Sequence, residues 1–113
     1  MSAKEIYLVV KSTYRENKFV FRNVVCVNSS LDIAFRNLIV QVKGMSLSEC
    51  ITVDALSSKD AILVSGYRDA VSCDSYADNI YEIYKMTMNE LGSDIVHFTD
   101  EQIKNIKDVV YGC

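Results

Sequence analysis

The chain has 113 residues, 50% apolar and 24% charged, with no proline and four glycines. This composition excludes a disordered or linker-rich chain and predicts one globular domain over residues 1–113. Charge divides the chain in two. Residues 1–44 hold seven Lys/Arg against three Asp/Glu, and residues 45–113 hold five against twelve, for a net charge of −3. Separated charge of this kind selects binding partners.

No targeting or membrane-spanning segment is evident near the N-terminus. The first apolar run, Ile6–Val10, is too short for a signal peptide or for a membrane span of about 20 residues. We therefore expect a soluble, cytoplasmic protein without a membrane partner. The four cysteines are widely spaced, which favours free thiols over a disulfide framework.

The first three elements are predicted to be a β-hairpin followed by a helix. Glu5–Ser12 and Phe19–Val27 are rich in β-branched and aromatic residues and flank the polar stretch Tyr14–Lys18. The stretch Leu31–Lys43 repeats apolar residues with helical spacing. We expect Gly44 to end this helix with a positive φ.

A second hairpin is predicted downstream. Cys50–Leu56 and Ala61–Ser65 flank the polar turn Ser57–Asp60. The pattern leaves open whether residues 66–73 extend the last strand or form a loop.

A second helix is predicted for Tyr76–Leu91, ended by Gly92. At 100° per residue its apolar side chains spread over about 160°, whereas a core-facing stripe needs only about 100°. Tyrosine and methionine supply this excess, and both residue types are favoured at protein interfaces. The excess could be a wide core stripe or a contact surface. We interpret it as a contact surface and assign partner binding to five residues: Tyr76, Tyr81, Glu82, Met86 and Met88.

The remaining elements complete the predicted fold. Asp94–Phe98 is a short apolar run typical of a strand, and Thr99 with Gln102 forms a capping box before a helix over Asp100–Tyr111. The element order is ββα–ββα–βα. We therefore predict an α+β fold: a mainly antiparallel sheet of about five strands with two to three helices packed on it.

The sequence carries no recognisable catalytic or cofactor motif. The glycines are isolated, and the cysteines and the single histidine lack zinc-ligand spacing, so we expect no cofactor and no metal. Nucleophilic catalysis would need a thiol, such as Cys26 or Cys73, beside His97. Strand alternation instead predicts that His97 and Asp54 face solvent.

Nucleic acid is not the favoured partner. The first hairpin interleaves basic and aromatic residues, but the whole chain is acidic, with a pI near 5.0.

These observations favour a non-enzymatic protein–protein interaction module, a regulator or inhibitor that acts through an acidic, Tyr/Met-rich C-terminal half. Its partners would be another protein and further copies of the chain, as a homodimer or higher homo-oligomer. In size and composition, though not in motifs, the chain resembles the small accessory proteins of bacteriophages that disable host or defence proteins. Two alternatives stay open: an oligomeric module that binds a small molecule or nucleotide, with Tyr67 and Arg68 as candidates, and a small Cys/His enzyme.

Overall fold

The computed structural model describes residues 4–45, 52–68 and 76–111. It has the predicted α+β fold, an antiparallel sheet with two helices packed on it. The elements in chain order are β1 (Glu5–Arg15), β2 (Lys18–Asn28), α1 (Leu31–Met45), β3 (Thr52–Ala55), β4 (Ile62–Arg68), β5 (Tyr76–Thr87), β6 (Asp94–Ile95) and α2 (Asp100–Tyr111).

The strands are hydrogen-bonded in the order β2-β1-β5-β4-β3, and β6 pairs with the end of β5. β1 and β2 form the first predicted hairpin. Glu16 and Asn17 connect them, and both have positive φ (53° and 64°), as in the two-residue type I′ turn that matches the twist of the strands. β1 then pairs with β5 over its full length.

The hydrophobic core lies between one face of the sheet and the two helices. Because opposed residues share a face, the pairing of Val9 with Ile83 places both on this side, together with Tyr81. The core cluster consists of Val9, Ala34, Leu38, Val42, Val53, Ile62, Val64, Tyr81, Ile83, Phe98 and Ile106. Both α1 and α2 contribute to it, so both helices cover the same face.

The predicted capping box of α2 is confirmed. The backbone N–H of Gln102 donates to Thr99 Oγ1 (3.1 Å), and the backbone N–H of Thr99 donates to Gln102 Oε1 (3.0 Å). These two bonds satisfy free N–H groups at the start of the helix. The prediction for Gly44 is wrong, since α1 continues through it to Met45 and positive φ among the described glycines occurs only at Gly92.

The helix predicted for Tyr76–Leu91 is wrong, because Tyr76–Thr87 is the central strand β5. This segment is rich in tyrosine and isoleucine, which favour strands. It pairs with β1 on one edge and with β4 on the other, and neither face is fully polar. Apolar residues on both faces of a strand imitate a wide helical arc. The element order is therefore ββα–βββ–βα, with two helices rather than three.

The second predicted hairpin is confirmed as β3 and β4, which pair from Ala55 with Ile62 to Thr52 with Ser65. β4 extends to Arg68, which decides the first part of the open segment 66–73 in favour of a strand. Residues 69–73, with Cys73, lie outside the described residues. Within the described part of the chain, no helix has both the length and the apolar character to cross a membrane.

Candidate protein-contact face

The face of the sheet opposite the helices is the candidate functional surface, and we call it the open face. Strand alternation and the pairing register assign its residues. They are Ile6, Leu8, Val10, Ser12 and Tyr14 of β1; Phe19, Arg22, Val24 and Val27 of β2; Leu63 of β4; and Asp78, Ile80, Glu82, Tyr84 and Met86 of β5. Most of these side chains are apolar or aromatic.

No helix or strand among the described residues covers the open face. The edge strand β2 is the most exposed part: Phe19, Val24 and Val27 have 56%, 51% and 62% of their surface accessible. On β1 and β5, Leu8, Ile80 and Tyr84 are half-buried by their neighbours, and Val10 and Ser12 at the centre of the face are buried, with 5% and 1% of their surface accessible. An antiparallel sheet with a solvated face normally alternates apolar and polar residues, so this apolar face is unusual.

A small polar group lies in the middle of this apolar surface. Arg22 Nε donates to Ser12 Oγ (2.9 Å), across the strand pair β1–β2. On the other side of β1, the Tyr84 hydroxyl donates to Glu82 Oε2 (2.9 Å). Burial, followed by this hydrogen bond to Glu82, raises the pKa of Tyr84. The open face therefore presents a cation and an anion on opposite sides of β1.

The size of the open face is comparable to that of the largest apolar patches on typical monomers. From Ile6 to Tyr14 it runs eight residues, about 27 Å at 3.4 Å per residue. It spans four strands about 4.8 Å apart, which with their side chains gives a flat area of about 500 Å². Contiguous apolar patches of this size on a monomer are often functional.

The structure separates the five residues to which sequence analysis assigned partner binding. Tyr81 is fully buried in the core and cannot offer its ring to a partner in this fold. Glu82 and Met86 lie on the open face. Met88 follows β5 and is 49% exposed. Tyr76 begins β5, but its side chain lies outside the description.

Most of the open face was not predicted from the sequence, because β5 was placed on a helix and because local patterns do not show that β2 is an edge strand with both helices on the other side of the sheet. Leu8, Val24, Val27, Ile80 and Tyr84 were not recognised as surface residues. The sequence signal for a strand was the isoleucine and tyrosine content of β5, and in the structure Asn79, Tyr81 and Ile83 are buried on one side of it. The residues between them face the other way.

Comparisons with known proteins do not identify the chain. No protein-family model, no curated protein and no solved structure matches it.

The predicted catalytic candidates do not come together. His97 is exposed, as predicted, but the predicted strand Asp94–Phe98 is too long, because β6 ends at Ile95 and His97 follows it. The half-buried Cys26 accepts a weak hydrogen bond from the Asn28 side chain (3.4 Å). Asp54 is also exposed, as predicted. A hydrogen bond from Lys107 (3.2 Å) holds the pKa of Asp54 below its ordinary value. Among the described residues, no group of three or more His, Cys, Asp or Glu could hold a metal ion.

A groove of about 310 Å³ lies beside the turn between β5 and β6. Its lining includes Glu5, Lys85, Glu90 and Asp94, and Lys85 Nζ lies 3.1 Å from Glu5 Oε1. This contact raises the pKa of Lys85. Small-molecule sites are mostly apolar with a few placed polar groups, and this charged groove lacks that character.

The basic and aromatic residues of the first hairpin do not form one stripe. Lys11 and Phe21 are on the helix side of the sheet, whereas Tyr14, Phe19 and Arg22 are on the open face. A single-stranded nucleic acid is bound by cations and rings that follow one groove. This division gives no support to a nucleic-acid partner.

Proposed function

We propose that the chain is a non-enzymatic protein–protein interaction module whose contact surface is the open face. A regulator or inhibitor of this kind acts by binding and needs no catalytic machinery. The proposal differs from the sequence-based interpretation in one respect. The contact surface draws on both charge halves, with β1 and β2 as well as β5, rather than on the C-terminal half alone.

The single observation that carries the proposal is the apolar character of a sheet face that no helix or strand among the described residues covers. Val24 and Val27 on β2, with Leu8 and Tyr84 beside them, form a continuous apolar surface. Large exposed apolar patches with a few polar groups mark protein-binding sites, and tyrosine, methionine and arginine are enriched there.

Two matched substitutions test this function. Val27→Lys places a charge on the open face, and Val40→Lys places the same charge on α1, at a valine of nearly equal exposure (62% and 61%). Both valines are exposed, so each variant should keep the fold, with stability within about 0.5 kcal/mol of wild type. Circular dichroism and thermal melting check this.

Each tagged protein is then used for affinity capture from a lysate of the source cells, with quantitative mass spectrometry. We expect at least one protein, either another protein or untagged copies of this chain, to be retained equally by wild type and Val40→Lys and to be depleted at least about tenfold by Val27→Lys, which corresponds to about 1.4 kcal/mol. If folded Val27→Lys retains the same proteins as wild type, the open face is not the contact surface.

A further inference from the structure

The charges and the geometry of the open face point to a second copy of this chain as the molecule that covers it. We infer a two-fold symmetric dimer in which two sheets pack face to face, with the two-fold axis parallel to β1. The inference rests on the proposed function, since it names the partner of the same surface.

The arrangement of the open face around β1 sets the geometry. Leu8 lies between Val27 and Tyr84, Val10 lies between Val24 and Glu82, and Ser12 lies between Arg22 and Ile80. In each of these three rows, β2 lies on one side of β1 and β5 lies on the other. A two-fold axis along β1 exchanges these two sides, so β2 of each copy lies over β5 of the other.

This exchange makes the central charges complementary. Arg22 would lie over Ile80 of the partner subunit, between the acidic side chains at positions 82 and 78 of that subunit. Each acidic position is two residues from 80 along the strand, about 7 Å. An axis in the plane of the sheet and perpendicular to β1 would instead place β2 over β2 and β5 over β5, so that Arg22 would not face the acidic strand. Complementary charge across an interface selects one orientation over another.

The charge division of the whole chain agrees with the same axis. The basic N-terminal residues form β1, β2 and α1, whereas the acidic C-terminal residues form β3 to β6 and α2. In the strand order β2-β1-β5-β4-β3, the boundary between the two groups lies between β1 and β5. Exchanging the two sides therefore places the basic part of each copy over the acidic part of the other.

The area is also suitable. A standard interface buries about 800 Å² of accessible surface per partner. The open face has a flat area of about 500 Å², which is of the same order.

The edge of β2 offers a different route to a dimer, and the structure disfavours it. Register shifts in the β1–β2 pairing leave Val20 and Val25 as extra residues in β2. Bulges of this kind, with the charges of Lys18 and Arg22 on the same strand, protect an edge from pairing with another chain.

Charge reversal tests the dimer. The variants are Arg22→Glu, Glu82→Arg and the double variant, with Lys18→Glu and Glu90→Arg as controls that make the same charge changes away from the open face. Sedimentation equilibrium measures the dimer dissociation constant, and circular dichroism checks the fold. We expect a dimeric wild type, a dissociation constant at least about tenfold higher in each single variant, and recovery to within about threefold of wild type in the double variant.

The controls should dissociate like wild type. A folded Arg22→Glu that dimerises like wild type, or a double variant that is weaker than both single variants, would overturn this geometry. A monomeric wild type at millimolar concentration would overturn the dimer itself. The proposed function would still stand in that case if Val27→Lys loses a captured protein that Val40→Lys retains, and both proposals would fall if it does not.

Discussion

At the residue scale, Tyr81 shows most directly how the fold uses its aromatic side chains. It is the largest fully buried side chain in the core, and it pairs with Lys11 on one side and Ile62 on the other. Burial raises its pKa from 10.0 to about 12. Its ring therefore stabilises the sheet and the helix packing rather than a partner.

This burial predicts a loss of stability at alkaline pH. The unfolded chain releases the Tyr81 proton near pH 10.0, whereas the folded chain keeps it to about pH 12. Stability from this group is therefore complete below pH 10 and falls as the pH rises toward 12. Between about pH 10 and pH 11, wild type should lose about 1 kcal/mol more unfolding free energy than Tyr81→Phe. Urea unfolding at each pH measures this difference.

Tyr14→Phe is the matched control, because Tyr14 is only half-buried and its ring packs edge-on against Phe19 (5.8 Å). This variant should lose stability between the two pH values as wild type does. An equal alkaline loss in wild type and Tyr81→Phe would show that the phenol is not buried in the folded chain.

At the element scale, the strand β5 separates a core face from the open face. Ile83 is fully buried beside Val9, whereas Ile80 lies on the open face between Ser12 and Leu63 and is half-buried. A helix would place these two residues, three apart, on the same side. The strand places them on opposite sides.

Truncating each isoleucine to alanine distinguishes the strand from a helix. We expect Ile83→Ala to cost about 3 kcal/mol of unfolding free energy, because it removes buried methyl groups and leaves a cavity, and Ile80→Ala to cost about 1 kcal/mol, because its site is already partly solvated. Urea unfolding at a concentration where the chain is monomeric measures both. Equal losses would contradict the assignment of Ile80 to the open face.

The sequence predicted those elements whose signals are local. The first hairpin, α1, the second hairpin and the capping box at Thr99 each depend on a few neighbouring residues, and the structure confirms them. β5 was missed because its state depends on long-range pairing with β1 and β4. Tertiary pairing of this kind overrides local periodicity when apolar residues lie on both faces.

Local sequence signals were also insufficient to identify the residues of the candidate site. The apolar residues that produced the predicted excess belong to the strand β5, where some lie in the core and others on the open face. The pairing register decides which residues of this segment face the core and which lie on the open face. It places Tyr81 in the core, and it places Glu82, Tyr84 and Met86 on the open face. The contributions of Val24 and Val27 required knowledge that β2 is an edge strand and that both helices lie on one side.

At the scale of the whole molecule, both helices lie on one face of the five-stranded path, and within residues 4–45, 52–68 and 76–111 no helix or strand covers the other face. The charge division follows the same strand order, with a basic side at β2 and β1 and an acidic side beyond them. An apolar centre with opposite charges on its two sides is self-complementary under a two-fold rotation. This property connects the sequence-level charge division with the inferred dimer.

The most direct test of this account is an isotope-filtered nuclear Overhauser experiment on a mixture of labelled and unlabelled protein, which detects only contacts between copies. We expect cross-peaks between the Val27 methyl groups of one copy and the Tyr84 ring of the other, and none from the equally exposed Val40 on α1. Contacts between copies that involve Val40 and not Val27, or the absence of any contact at millimolar concentration, would contradict a dimer formed through the open face.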